Sequence, residues 1–280
     1  MSTPATYILA SHFPRHDWLV RRPEHAGVGE SYLATSGDRE LFLKLDVDAA
    51  VVQRLAGLGI APAVVANGSY QGRSYVVQEY LHGTHPDREW FSLHLPQVAA
   101  LIGGYHSDPV LADLLAKGHS PGYAEHISAG LGDMAALIAQ LPESPHKAEL
   151  SRLLAELSDQ ARSLGPVGLV PAHADPNYHN FLLVGERVYL LDWEGVTLSD
   201  PLRDVGPLLW WYAPQQKWPE FFAACSTEMD EQVERKVYWW AARQSCSVAL
   251  WFAGRGLLEL AAPFMLDFEA ALHGRANPHG

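Results

Sequence analysis

The chain has 280 residues, of which 48% are hydrophobic, and it carries a formal net charge of −12. This length allows one large domain or two smaller ones with a substantial core. The negative charge argues against a nucleic-acid backbone as partner and favours cationic ligands. No apolar run reaches 18 residues, which argues against a membrane span. Two cysteines are too few for a disulfide framework, so the expected location is cytoplasmic.

The first 81 residues predict a β-rich lobe. Runs of β-branched and aromatic residues, separated by Gly, Pro and Asp, predict strands at 17–22, 31–36, 40–46, 62–68 and 74–81. One helix is predicted at 48–59, with Asp48 as its N-cap. Residues 1–26 either add a strand to this lobe or form a separate arm.

The remaining residues, 82–280, predict a mainly helical lobe. Helical periodicity covers 88–106, 122–141, 145–164, 201–213, 218–226, 230–253 and 256–273. Short strands are predicted only at 168–172, 180–184 and 187–193. The pattern predicts an α+β fold of two lobes, with the N-lobe at 1–81 and the C-lobe at 82–280.

The stretch HADPNYHN, residues 173–180, leads into a predicted hairpin. The hairpin would bring Asn180, at its start, close to Asp192, at its end, while Asp175 lies in the loop before it. These oxygen ligands suit Mg²⁺. One alternative is a zinc hydrolase that uses His173 and His179 with Asp175, although no H-E-x-x-H motif occurs. Another alternative is that Asp175, Asn180 and Asp192 only form turns, because Asp and Asn are common turn residues.

Phosphoryl transfer needs a group that orients the acceptor hydroxyl and a cation on the phosphates. Asp175 meets the first need. Lys44, in the apolar strand LFLKLD, is the candidate for the second. Gly27 and Gly29 precede the strands, and their backbone N–H groups could lie over phosphates.

The order of these features resembles the aminoglycoside phosphotransferase and choline kinase family, which has a protein-kinase-like fold. The loop matches the motif H-x-D-x-x-x-x-N at His173, Asp175 and Asn180, and the D-W-E sequence begins at Asp192. The stretches LAGLGIAPAVV, VVQEYLHG, VAALIGGYHS and SDPLRDVGPLLWW are also similar to family segments. The resemblance spans roughly residues 27 to 211.

The resemblance implies an ATP-dependent (or GTP-dependent) kinase. Asp175 would be the catalytic base, and Asn180 and Asp192 would hold Mg²⁺. The implied nucleotide contacts are Lys44, Gly27, Gly29, Ser31 and the backbone of 79–82, including Glu79 and Leu81. Of the two aspartates in D-P-x-x-D, Asp200 is expected to cap a helix, and Asp204 is expected to tether the catalytic loop.

Two features depart from the family pattern. The helix at 48–59 lacks the Glu that usually pairs with the strand lysine, so Lys44 either pairs with Asp48 or lacks such a partner. Pro176 follows the expected base where the family commonly has Leu, and proline biases Asp175 towards an extended conformation.

The acceptor is expected to be a small hydroxyl compound with a positive charge, and an aminoglycoside-type antibiotic is favoured. The candidate contacts are Trp193, Glu194, Trp211 and Asp230, because aromatic rings and carboxylates bind amines. Two alternatives stay open: a metabolic kinase for choline, thiamine or a sugar, and a catalytically weak nucleotide-binding protein. The sequence does not indicate the oligomeric state.

Overall fold

The computed structural model describes residues 3–23, 29–117 and 122–279. The helices are α1 (Pro4–His12), α2 (Ala49–Gly57), α3 (Arg88–Leu93), α4 (Leu95–His106), α5 (Pro109–Ala116), α6 (Tyr123–Gln140), α7 (Pro145–Ala161), α8 (Leu202–Tyr212), α9 (Trp218–Ala224), α10 (Glu231–Ala253) and α11 (Leu258–Leu272). The strands are β1 (Leu19–Arg21), β2 (Ser31–Ser36), β3 (Arg39–Leu45), β4 (Val64–Tyr70), β5 (Arg73–Glu79), β6 (Val170–Ala172), β7 (Phe181–Val184), β8 (Arg187–Leu190) and β9 (Thr197–Ser199). The predicted α+β fold class is confirmed. None of the described helices combines the length and apolar character needed to cross a membrane.

The chain divides into two compact units. Unit 1 contains Met1–His85, Pro109–Leu115 and His179–Gly195; unit 2 contains Pro86–Asp108, Ala116–Tyr178 and Val196–Gly280. The hairpin that carries Asn180 and Asp192 thus groups with the first 85 residues. The lobe boundary between residues 81 and 82 stays a prediction.

Unit 1 is built on a five-stranded antiparallel sheet with the order β1-β2-β3-β5-β4. Alternation along β3 buries Leu41, Leu43 and Leu45 on one face, against a cluster that includes Ile8 and Leu9 of α1. Side chains alternate across a strand, so Lys44 lies on the opposite face from these leucines. The apolar pattern therefore fixes the face on which the lysine is displayed.

A short hairpin, β7–β8, also belongs to unit 1. Its pairing runs from Phe181 opposite Leu190 to Val184 opposite Arg187, around the turn that contains Gly185. Phe181 and Leu190 are fully buried. The Leu190 N–H donates to the carbonyl of Ile60, which anchors the hairpin beside the end of α2.

Unit 2 is mainly helical, and α10 is its most buried helix. Trp239 and Trp240 of α10 are buried, and the Trp239 indole N–H donates to the Leu157 carbonyl of α7 at 3.0 Å. The strands β6 and β9 form a small antiparallel pair in this unit. The tryptophans at 210, 218, 239 and 240 therefore contribute mainly to the core, where large aromatic rings stabilise helix packing.

Gly206 allows α8 to approach α10 closely. A Cβ atom at this position would lie 2.8 Å from the Val237 carbonyl oxygen and 2.9 Å from the Trp240 Cβ. These are backbone-proximal atoms that cannot rotate away. A glycine here thus sets the short spacing between the two helices.

Most predicted elements are observed within a few residues of their expected ends. The helix predicted at 88–106 is instead two helices, because Pro96 cannot donate a backbone N–H and clashes with a continuous preceding turn, so the chain breaks at His94. Three described elements were not predicted: α1, α5 and β9. Of the two possibilities for the N-terminal segment, the structure shows an added strand: within residues 3–23, the helix α1 packs against the sheet and β1 pairs with β2.

Candidate active site

Lys44 binds two carboxylates in unit 1. Its Nζ lies 2.5 Å from Asp192 Oδ1 and 2.8 Å from Glu194 Oε1. The lysine side chain is 17% exposed, whereas those of Asp192 and Glu194 are 49% and 38% exposed. The lysine is therefore shielded from solvent and held in place by acidic groups that remain open to water.

The hairpin places Asn180 and Asp192 at its two ends, as the sequence predicts. The Leu191 N–H donates to the Asn180 carbonyl at 2.7 Å, which closes the base of the hairpin. Asp192 then adopts a left-handed backbone conformation, with φ of 63°. A non-glycine residue in this region is strained by about 1 kcal/mol or more, and such residues are common at functional sites.

A short 3-10 turn, Trp193–Gly195, follows Asp192. Trp193 is buried, and its indole N–H donates to the Leu190 carbonyl at 2.8 Å. The buried ring anchors the turn and leaves the neighbouring Glu194 directed towards Lys44. A Cβ atom at Gly29 would collide with the Glu194 carboxylate, so this glycine also lies beside the ion pair.

Asp48, which was considered as a partner of Lys44, instead caps the helix α2. Its carboxylate accepts hydrogen bonds from the N–H groups of Ala50 and Val51, so it caps α2. The described ion pairs of Lys44 are those with Asp192 and Glu194. Glu194, which lies outside the α2 helix, supplies the carboxylate that α2 lacks.

The other predicted nucleotide contacts lie at strand ends of unit 1. Ser31 is buried at the start of β2, in register with Lys44 of β3. Glu79 ends β5, and its N–H donates to the Ala63 carbonyl; Leu81 follows two residues later. Gly27 lies outside the described residues.

Asp175 lies in unit 2, in the loop after β6. Its Oδ2 accepts from Asn177 Nδ2 at 3.0 Å, and its Oδ1 accepts from Gln244 Nε2 of α10 at 3.3 Å. Its own N–H donates to the Nδ1 of His173, which is fully buried. The preceding Ala174 has a φ of 73°. The carboxylate is thus oriented by neutral donors.

Asp204 anchors this loop, as the sequence predicts. Its Oδ2 accepts from the Tyr105 hydroxyl at 2.8 Å, from His106 Nε2 at 3.0 Å and from the His173 N–H at 2.9 Å, and its Oδ1 accepts from the Ala174 N–H at 2.8 Å. Burial alone would raise the pKa of Asp204. The hydrogen bond and charge of His106, the charge of His173 and the Ala174 N–H outweigh burial and hold that pKa below its usual range.

Asp200 forms a second buried cluster in unit 2. Its Oδ1 accepts from the N–H of Leu202, the first residue of α8, at 2.8 Å, although the N-cap position is Pro201, one residue later than predicted. Its Oδ2 accepts from the Tyr123 hydroxyl at 2.9 Å and from Lys236 Nζ at 3.1 Å. Nearby, His126 forms a hydrogen bond with the Ser199 hydroxyl at 2.8 Å.

Some residues of these clusters were not identified from sequence. Gln244 and Lys236 belong to α10, and each is separated by a long stretch of chain from the aspartate that it contacts. No local motif marks them. Tyr105 was identified only as part of a segment similar to the family.

Asn180 and Asp192 are oxygen ligands of the kind that Mg²⁺ takes. They offer an amide oxygen and a carboxylate, and Mg²⁺ is commonly bound through one or two such protein groups, with waters and phosphates as further ligands. No group of three or more His, Cys, Asp or Glu side chains suited to a metal is found among residues 3–23, 29–117 and 122–279.

The candidate acceptor contacts have partners within their own units. The Trp211 indole N–H donates to Asp267 Oδ2 at 3.1 Å, and Asp230 caps α10 by accepting from the Val233 N–H at 2.7 Å. Trp193 and Glu194 are engaged as described above. All four residues therefore contribute to the structure of the protein itself.

A model of the phosphotransferase enzyme family matches residues 17–237. The chain belongs to this family. The predicted resemblance is thereby confirmed, and the matched region includes Lys44, Asp175, Asn180 and Asp192.

Solved structures share the fold of this phosphotransferase. A choline/ethanolamine kinase family protein from Mesorhizobium loti is 19% identical, with 96% of this chain and 97% of that chain covered and a TM-score of 0.67. The choline kinase LicA from Streptococcus pneumoniae is 17% identical, with 96% of each chain covered and a TM-score of 0.67. A thermostable mutant of aminoglycoside phosphotransferase APH(4)-Ia, in ternary complex with AMP-PNP and hygromycin B, is 16% identical, with 97% and 99% covered and a TM-score of 0.69.

Family and fold together support a small-molecule phosphotransferase of the protein-kinase-like fold.

Proposed function

We propose that this phosphotransferase transfers the γ-phosphoryl group of ATP (or GTP) to a hydroxyl group of a small molecule. The observation that carries the proposal is the loop of Asp175. Its carboxylate is oriented by Asn177 and Gln244, and its backbone is fixed by the buried Asp204. A carboxylate fixed in this way suits the task of orienting a hydroxyl group for attack.

Asp175 accepts the proton of the acceptor hydroxyl as the oxygen bonds to the γ-phosphorus and ADP leaves. Because Asn177 and Gln244 donate neutral N–H groups, they orient the carboxylate without adding a positive charge that would compete for the proton. General-base catalysis of this kind contributes roughly 10²- to 10⁴-fold in rate.

Lys44 neutralises charge on the nucleotide phosphates. Asn180 and Asp192 are the residues that would hold Mg²⁺, which supplies charge neutralisation on the β- and γ-phosphates when it is bound. The backbone N–H groups of the loop at Gly27, Gly29 and Ser31 assist in binding phosphate, and the backbone of 79–82 contacts the adenine.

Glu194 takes the positioning role that a helix glutamate commonly fills in this family. It lies 2.8 Å from Lys44, whereas the carboxylate of Asp48 caps α2. With Glu194 as its partner, Lys44 would keep its position if Asp192 held a metal ion. The absence of a helix Glu is thus compatible with an active kinase.

The acceptor class predicted from sequence is a cationic compound of the aminoglycoside type. The APH(4)-Ia mutant described above was crystallised with hygromycin B, and LicA is a choline kinase, so both amine classes belong in the assay. Trp193, Glu194, Trp211 and Asp230 stay the predicted contacts. A metabolic kinase and a catalytically weak nucleotide-binding protein are the alternatives that the same assay separates.

The test is release of ADP from ATP and from GTP with Mg²⁺, across aminoglycosides, choline, ethanolamine, thiamine and sugars. Asp175→Ala is expected to lower kcat by roughly 10²- to 10⁴-fold and to leave ATP binding nearly unchanged. The matched control is Asp159→Ala, which removes an exposed carboxylate on α7. Acceptor-dependent release that survives Asp175→Ala would contradict the mechanism, and nucleotide binding without turnover on any acceptor would favour the binding-protein alternative.

A further inference from the structure

Arg73, at the start of β5, bridges two carboxylates at one end of the sheet of unit 1. Its Nε donates to Asp46 Oδ1 and Oδ2 at 3.1 and 3.0 Å, and its Nη2 also donates to Asp46 Oδ2. Its Nη1 donates to Glu30 Oε2 at 2.6 Å. A guanidinium suits this task, because its planar fork of N–H donors can bind two carboxylates at once in fixed directions.

Glu30 belongs to the segment that carries the proposed phosphate contacts, since it lies between Gly29 and Ser31. The Leu45 N–H donates to the Glu30 carbonyl at 3.0 Å, next to the pair that Ser31 forms with Lys44. Both the backbone and the side chain of Glu30 are therefore held. The ion pair with Arg73 fixes the segment at the point where it enters β2, beside the strand of Lys44.

The backbone next to Glu30 lies against the ion pair of Lys44. A Cβ atom built on Gly29 would lie 2.2 Å from Glu194 Oε1, and this same oxygen lies 2.8 Å from Lys44 Nζ. A displacement of the segment at Gly29 would therefore change the surroundings of the lysine and its partner. The position of Glu30 thus bears directly on the candidate nucleotide site.

Strand alternation places Arg73 on the face of the sheet opposite to Lys44. Arg73 and Tyr75 are two residues apart on β5, and Tyr75 packs in the same apolar cluster as Leu45. Lys44 precedes Leu45 on β3 and lies on the other face. The guanidinium of Arg73 is therefore turned away from phosphate bound at Lys44, and it acts on that site through the segment at Glu30.

Glu30 is held by two donors and is better shielded than Asp46. The Tyr32 hydroxyl donates to Glu30 Oε1, while Arg73 binds Oε2. The hydrogen bond from Tyr32, followed by that from Arg73, holds the pKa of Glu30 below its usual range. The side chain of Glu30 is 22% exposed and that of Asp46 is 59% exposed, so water screens the pair with Glu30 less.

We propose that Arg73 is a positioning residue for the nucleotide phosphates, which acts by fixing Glu30 and, through it, the backbone from Gly29 to Ser31. Backbone N–H groups bind phosphate better when they are already in place, because a segment that must be ordered on binding loses conformational entropy. The proposal rests on the proposed function for the place of the nucleotide. No local motif marks Arg73, which meets Glu30 only through the pairing of β2, β3 and β5.

The test measures nucleotide binding to the full chain by calorimetry and needs no turnover. The ligands are ATP and ADP, each with Mg²⁺, and adenosine, which lacks phosphates. The proteins are the wild type, Arg73→Met, Arg73→Lys and the matched control Arg39→Met. Arg39 begins β3, at the end of that strand remote from Leu45, and its guanidinium lies over the ring of Phe13 at 4.4 Å from the centroid.

Arg73→Met is expected to raise the Kd for ATP and for ADP roughly three- to tenfold and to leave the Kd for adenosine unchanged. Arg73→Lys keeps the charge without the fork of donors, so it should recover only part of the affinity. Arg39→Met should bind all three ligands as the wild type does. Equal weakening of ATP and adenosine would show that Arg73 only stabilises the fold and would overturn the proposal, as would unchanged ATP binding in Arg73→Met.

Thermal unfolding without ligand checks that each variant is folded. If Arg73→Met does not fold, Arg73→Lys, which retains an ion pair, carries the same comparison of ATP with adenosine. A loss of affinity for ATP that exceeds the loss for adenosine would again support the proposal, and equal losses would overturn it.

A double-mutant cycle identifies the residue through which Arg73 acts. In a Glu30→Gln background, Arg73→Met should no longer weaken ATP binding, whereas in an Asp46→Asn background it should still do so. A full effect of Arg73→Met in Glu30→Gln would overturn the proposal. The binding results are independent of phosphoryl transfer. A wild type that binds ATP as expected, but transfers phosphate to no acceptor, would support the role of Arg73 and contradict the proposed function alone.

Discussion

Glu194 forms an ion pair with Lys44 that was not predicted from sequence, where only Asp48 was considered as the partner of this lysine. The lysine side chain is only 17% exposed and meets two carboxylates at its end. A lysine held by one carboxylate that stays in place is better positioned for phosphate than a lysine with free rotamers, because less side-chain entropy is lost on binding. Glu194 is thus expected to act on nucleotide binding.

Glu194→Gln is expected to raise KM for ATP roughly three- to tenfold, since weakening one charge-assisted hydrogen bond costs about 1 kcal/mol. The measurement is steady-state kinetics with ATP and acceptor varied separately. Glu186→Gln, in the turn of the same hairpin, is the control. A rise confined to the acceptor's KM would instead assign Glu194 to the acceptor, the role predicted from sequence.

At the scale of elements, α8 connects the fold to the loop of Asp175. Asp204, in the first turn of α8, is fully buried. It accepts four hydrogen bonds, two from side chains of α4 and two from the backbone at His173 and Ala174. A buried carboxylate with this many donors links three segments whose positions otherwise depend on apolar packing alone.

Asp204→Asn is expected to lower the free energy of unfolding by about 3 kcal/mol. The substitution replaces one carboxylate oxygen, which accepts hydrogen bonds, by an NH₂ group, whose N–H bonds would then point at the N–H or O–H donors around it. Urea unfolding measures the loss. Tyr105→Phe, which removes one of the four donors, should cost only about 1 kcal/mol. Equal losses in the two variants would show that the carboxylate does not act as the shared acceptor.

The sequence predicted elements with strong periodicity well. The hairpin of β7 and β8, the strand β3 and the helix α10 have clear apolar patterns, and each is observed near its expected bounds. The strand β9 has only three residues, and its conformation depends on pairing with β6, which no local pattern reveals. For α1, a signal was present: Thr3 caps the helix, Pro4 starts it, and Ala5, Ile8 and Leu9 share one face.

The candidate site was predictable where a motif fixes the spacing. The positions of Asn180 and Asp192 follow from a short hairpin, and the orientation of Lys44 follows from strand alternation. The partner of Lys44 depends on the conformation of Asp192 and of the 3-10 turn that follows it, which is set by the buried Trp193. Contacts from α10 depend on tertiary packing, so Gln244 could not be identified from sequence.

At the scale of the whole molecule, His126 links folding stability to pH. Burial, followed by the charges of Arg203 and Arg243, lowers the pKa of His126 to about 4, and Asp200 opposes this shift only in part. The ordinary value is near 6.5. Between pH 6.5 and about 4 the unfolded chain binds more protons than the folded chain, so this histidine makes stability fall as the pH falls through that range.

The expected slope is less than about 1.4 kcal/mol per pH unit, the limit for one proton, because the ring is only half-buried. His126→Gln should flatten the dependence between pH 4 and 6.5 and leave it unchanged above pH 7. Urea unfolding at several pH values measures both ranges. Parallel curves for wild type and variant would show that His126 titrates equally in the folded and unfolded chain.

The contact at Gly206 restricts the substitutions that α8 can accept during evolution. Any side chain at that position meets the backbone of Val237 and the Cβ of Trp240, so it must separate α8 from α10. Asp204 of α8 and Gln244 of α10 hold the loop of Asp175, so their spacing would change together with the core packing around Trp240. Natural drift or a directed library should therefore retain glycine at 206 wherever the loop of Asp175 keeps its geometry.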